Sequence, residues 1–299
     1  MTVTAQVAGP PRRRSRRKIR PADAFLNVWG MLGLLFLFFP IAVIVVFSFN
    51  SGRSLQTFEG FSIQPYLAAL TNPAITNSIA VSLVTAAGTA VVATLLGTFA
   101  GIALTRRSGR WAPGLLVLLG LVMVTPEIVS AISLLPWFVT LGVDWGFTGF
   151  NIGQVRLIIA NSLFASAVVT FIVRARMSGM NETLEEAAAD LYAPPFRRFT
   201  DITLPLIRPA VISGALLAFT LSLDNTVVSS FVSVAGSTPW PVYIFASLKA
   251  SLRSEIAAMS TLMLVLTLIV LGIAALVLRR DPAGSGSGAA GLTDAMVGR

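Results

Sequence analysis

Glu127 and Asp224 are the two carboxylates that fall inside long apolar stretches of this 299-residue chain. Each lies 15 residues after the start of its stretch (127 minus 112, and 224 minus 209). At 1.5 Å per residue both sit about 22 Å along a helix, at matching depth in a bilayer. A carboxylate at the centre of a membrane helix costs about 2.5–3.5 kcal/mol on insertion scales, more without a partner or water. Pro126 precedes Glu127 and removes a backbone donor, which predicts a local break, and Ser130 and Ser133 continue a mildly polar face. Asp224 stands beside a stripe of Ser222, Asn225, Thr226, Ser229, Ser230 and Ser233. Two roles are open. The acids are structural, satisfying a broken helix or a subunit contact, or they line a route that favours a cation, with Glu127, Asp224, Asn225 and Ser229 along it.

Other chemistry is excluded by composition. The chain holds no histidine and no cysteine, so a Ser-His-Asp triad, a thiol nucleophile, a disulfide framework and a His/Cys metal site are all absent. Its only lysines, Lys18 and Lys249, follow Arg17 and Leu248, so no glycine-lysine phosphate loop exists. The chain is expected to be neither an enzyme nor a holder of a cofactor. If ATP drives it, another subunit binds the nucleotide.

A second polar region, residues 185–209, reads "EEAAADLYAPPFRRFTDITLPLIRP". Thr183 and Glu186 have capping-box spacing, which predicts a helix from about Leu184. Glu185, Glu186 and Asp190 place negative charge in its first turns, and three alanines give high propensity and a thin surface. Pro194 and Pro195 stop it. By residue type alone, this is either a connector at the membrane surface or a docking helix.

The elements that must position these residues are membrane spans. The chain is 55% hydrophobic and 12% charged, with a mean hydropathy of +0.81. A soluble domain carries about twice that charged fraction. Apolar stretches predict six spans: Trp29–Phe49, Asn77–Leu104, Ala112–Val139, Leu157–Val173, Pro209–Val234 and Ile256–Leu278. Six spans place both ends of the chain on one side. Of 22 Lys and Arg, only Arg53, Arg156, Lys249 and Arg253 fall in the opposite set of segments, which predicts cytoplasmic termini. The net charge of +9 therefore reports topology, with no nucleic-acid partner. Residues 1–28 read as a basic arm, 29–280 as the membrane domain with a cytoplasmic loop at 174–208, and 281–299 as a disordered tail.

Glu186-Ala187-Ala188 followed by Ile202-Thr203-Leu204-Pro205 resembles the EAA loop of permease subunits in ABC importers. The resemblance extends over residues 29–280. "NSIAVSLVTAAGTAVVATLLGTFAGIALTR" looks like the family's second span. "TPEIVSAISLL" and "FTLSLDNTVVSSF" are similar to the second permease subunit of spermidine/putrescine-type importers. This implies an all-α integral membrane protein with six transmembrane helices, the type I ABC importer (MetI-like) permease fold, in a bacterial cytoplasmic membrane. It also implies a second permease, two ATPase subunits that bind ATP and Mg, and an extracytoplasmic substrate-binding protein. Glu186, Ala187, Ala188 and Asp190, with Leu204 and Pro205 fixing the return of the loop, are then the ATPase-coupling residues. Related permeases carry opines, aminoethylphosphonate or ferric iron, and a passive channel or secondary carrier is the reading from another class. Two residues depart from the pattern. Tyr192 stands where the family has glycine, so either the helix runs on to the prolines or its turn is built differently. Asn225 stands where the polyamine type carries a second carboxylate.

Overall fold

A computed structural model describes residues 21–106, 109–181, 183–250 and 253–279. The described chain is helical, without a strand beyond two isolated bridges, Asn50 with Phe61 and Ser54 with Arg253. Six helices among the described residues are long and apolar enough to cross a membrane. The basic residues before Pro21 and the tail from Arg280 onward lie outside the described residues.

The chain divides into two units at residues 46 and 47. The first contains almost all of α1 (Pro21–Phe47), an apolar helix of 27 residues carrying Pro40. Its start at Pro21 lies inside the segment expected to be a polar arm; proline suits a first helical turn, whose N–H groups lack partners anyway.

The second unit begins with α2 (Gln64–Thr71) and α3 (Pro73–Arg106). The third expected span is two helices, α4 (Ala112–Val124) and α5 (Glu127–Val139), parted at Thr125-Pro126, and a π-helical turn (Thr140–Asp144) extends α5. The fourth, shortest in sequence, is a full α6 (Gly153–Ser178) of 26 residues. Polar Gln154, Arg156 and Ser178 widen it beyond its apolar run. Two short helices, α7 (Thr183–Asp190) and α8 (Pro195–Arg198), precede α9 (Leu204–Asp224), joined to α8 by a π-helical turn (Phe199–Thr203). The fifth span was expected to run to Val234, but its helix ends at Asp224 and a separate α10 (Val227–Val232) follows. The last two helices are α11 (Trp240–Ala250), which the sequence reading missed, and α12 (Ser254–Arg279).

Helices α3, α6 and α9 pack on one another through small residues. A Cβ added at Gly97 of α3 would lie 2.6 Å from the Cβ of Val169 on α6, and one at Gly214 of α9 would lie 3.1 Å from a Val169 methyl. In a membrane, where lipid is as apolar as a side chain, such close approach supplies the dispersion contacts that hold helices together. Ala93, Ala165, Val169, Val173, Ile207 and Ala218 form the core there. A second cluster, with Val81, Ala131, Phe138, Leu157 and Val228, joins α3 and α6 to α5 and α10. It fixes the two broken segments beside each other. A third holds α11 through buried Trp240, whose backbone N–H donates to Ser82 Oγ at 2.7 Å.

Candidate functional site

The two helix breaks build one site. At the first, Thr125 is extended and its Oγ1 donates to the Leu121 carbonyl at 2.7 Å, closing the end of α4. Pro126 carries no N–H, and Glu127 is the first residue of α5, at the positive end of that helix. At the second, Asp224 is the last residue of α9, at its negative end. Asn225 is extended, and its Oδ1 accepts from the N–H groups of Val228 at 2.9 Å and Ser229 at 3.4 Å. The Asn225 side chain therefore satisfies the donors at the start of α10.

These breaks bring Glu127, Asp224 and Asn225 onto a single cavity of about 410 Å³, completed by Thr220, Leu221 and Thr226. Both carboxylates are exposed, and neither has a hydrogen-bond or ion-pair partner among the described residues. A second cavity of about 390 Å³ shares Glu127 and Asn225 and extends between α4, α5 and α6, past Ser130 and Ser133. Ser229 is 1% exposed and lines neither cavity; its carbonyl accepts from Ser233 N–H at 3.1 Å. Ser222, also in the expected polar stripe, points inward and bonds Thr89 Oγ1 of α3 at 3.1 Å.

Asn161 escaped the sequence reading. It lines the second cavity, is 5% exposed, and neither amide atom has a partner among the described residues. Its one signal was an amide in the middle of the apolar run "LIIANSLF".

The E-A-A segment is a distinct region. Helix α7 begins at Thr183, one residue before the expected start, and Asn181 Oδ1 accepts the Thr183 N–H at 3.2 Å. Asn181 thus takes the capping role expected of Thr183, because Thr183 is itself already helical. Glu186, Ala187 and Asp190 are exposed, Ala188 is half-buried, and Leu204 and Pro205 are exposed at the start of α9. Glu185 turns the other way. Its Oε1 accepts from Arg106 at the end of α3 and from Thr203 Oγ1 before α9.

Neither expectation for the turn at Tyr192 holds: the helix does not run on to the prolines, and the turn is the left-handed one that glycine would make. The helix stops at Asp190 and Tyr192 itself adopts φ +57°, the conformation that favours glycine. Tyr192 N–H donates to the Ala189 carbonyl at 2.9 Å and Ala193 N–H to the Ala188 carbonyl at 3.0 Å, the Schellman pattern. Those two bonds offset a conformational cost of roughly 1–2 kcal/mol.

Residues 93–280 match the family described as the inner membrane component of binding-protein-dependent transport systems. The putrescine transport system permease protein PotI of Escherichia coli strain K12 is 37% identical over 235 residues, covering 78% of this chain and 83% of that protein. The spermidine/putrescine transport system permease protein PotC of Haemophilus influenzae is 35% identical over 255 residues, covering 85% and 96%. In fold, the chain is similar to a chain of a bacterial ABC transporter involved in the import of the acidic polysaccharide alginate. The TM-score is 0.72 at 14% identity, with 87% of this chain and 95% of that chain covered.

Proposed function

Because the chain belongs to the family of binding-protein-dependent transport system inner membrane components, we propose that it forms half of the route by which an ATP-driven importer carries putrescine or spermidine. Relatives named for those solutes support the choice. The observation that carries it is the single cavity onto which Glu127 and Asp224 both open, neither with a partner among the described residues. Two carboxylates and the carbonyl end of α9 make that space attractive to a cation. A polyamine supplies ammonium groups for the acids and methylenes for the apolar walls.

In this reading the termini are cytoplasmic, which puts α7 on the cytoplasmic face. There Glu186, Ala187, Ala188 and Asp190 meet an ATPase subunit, and Leu204 and Pro205 set the return of the chain. A second permease supplies the other half of the route, two ATPase subunits hold ATP and Mg, and an extracytoplasmic binding protein delivers the solute. The broken helices suit this task, because backbone ends that would be costly against lipid are tolerated where they border a polar cavity.

The test is uptake into vesicles containing the assembled importer, with ATP inside the ATPase-facing compartment. Labelled putrescine should accumulate, excess spermidine should compete, and excess succinate should not. Accumulation of an anionic or neutral solute, with none of either polyamine, would overturn the assignment.

A further inference from the structure

We infer that the cavity between α4, α5 and α6 is a binding station for one alkylammonium arm of the solute, with Asn161 as a contact residue. The inference rests on the polyamine reading above and locates a site within this one subunit.

Asn161 is the observation that points to a ligand. A buried amide without partners loses about 1–3 kcal/mol for each unsatisfied group, a large share of what holds a domain together. Its polar neighbours avoid that loss locally. Ser162 Oγ donates to the Ile158 carbonyl at 2.6 Å, and Ser133 Oγ to the Val129 carbonyl at 2.8 Å. The Asn161 side chain has no such bond among the described residues, and it borders a space of about 390 Å³.

The walls of that space define the chemistry of its occupant. Glu127 stands at the opening it shares with the neighbouring acidic cavity and is the only charged residue on the lining among the described residues. Leu118 and Leu121 give it an apolar side, and Trp137 adds an aromatic ring. A methylene chain fits the leucines. An ammonium finds the Glu127 carboxylate, the Trp137 ring face and the Asn161 carbonyl oxygen. An anion would meet Glu127 with like charge. Asn161 then swings toward the cavity it lines, and the cost of its unpartnered amide is recovered on binding.

The sequence provides a clean probe, since the chain has no cysteine. Ser130→Cys places a single thiol on the cavity wall. In the assembled importer its labelling by a trimethylammonium methanethiosulfonate reagent is followed by the mass of this chain, with and without putrescine, beside uptake in the same vesicles. Putrescine should slow the labelling. Adding Asn161→Leu should raise the putrescine concentration needed for that protection by about tenfold, the loss of one charge-assisted hydrogen bond. The same Asn161→Leu change should raise the thermal stability of the unliganded complex, because it removes the orphaned amide. Unprotected labelling in vesicles that accumulate putrescine overturns the station while leaving the importer reading intact. Failure to accumulate either polyamine overturns both. If Asn161→Leu and Asn161→Ala both prevent assembly, the amide is structural and the inference is wrong.

Discussion

Glu185 and Arg106 form an ion pair that ties α7 to the end of α3, and the same carboxylate oxygen holds Thr203 at the foot of α9. It is the one ion pair among the described residues, and no residue of α7 is buried. Glu185 is therefore a side chain through which a movement imposed on α7 can reach α3 and α9. Glu185→Gln should leave the importer assembled but raise the ATP hydrolysed per putrescine moved. Exchanging the charges, with Glu185→Arg and Arg106→Glu together, should restore part of the coupling. An unchanged ratio in Glu185→Gln would show that the pair transmits nothing.

The neighbouring Glu186 and Ala187 point outward, where a partner subunit can reach them. With α7 docked against the ATPase as proposed above, Glu186→Lys and Ala187→Asp should each abolish transport while this chain stays in the membrane. Normal uptake and normal co-purification of the ATPase in both variants would remove α7 from the docking surface.

Tyr192 gives a separate test of the turn. Tyr192→Gly fits the φ of +57° without strain and should preserve the turn, whereas Tyr192→Val should weaken it by roughly 1 kcal/mol. Amide exchange across residues 187–193 in the purified complex reports the difference. Equal protection in the two variants would mean that the left-handed turn does not hold the end of α7.

Much of the membrane domain was legible because its signals are composition and length. Apolar runs marked the six spans, and Pro126 announced the break before Glu127. The second break was hidden. Nothing in "LSLDNTVV" stops a helix as proline does, and the end of α9 is set by the Asn225 side chain capping α10. Helix α11 was hidden too, since it is held by a tertiary contact, Trp240 in a pocket of α2, α3 and α12 residues. At the sites, the carboxylates stood out because charge is costly in lipid. Asn161, Arg106 and Glu185 did not, because each draws its meaning from neighbours far away in the chain. Tyr192 was read from its intrinsic preference, and the Schellman hydrogen bonds overrode it.

The most direct measurement of the central claim is putrescine uptake by the assembled importer carrying Glu127→Gln or Asp224→Asn. Both changes keep side-chain shape while removing the charge that faces the shared cavity. Losing a charge-assisted contact of about 1.5–3 kcal/mol should cut uptake by roughly tenfold or more in each variant. Assembly and ATP hydrolysis without solute should persist, and Asp224→Asn should have the larger effect, since Asp224 lies at the negative end of α9 and draws a cation with it. Unchanged putrescine uptake in both variants, with the complex fully assembled, would contradict the account.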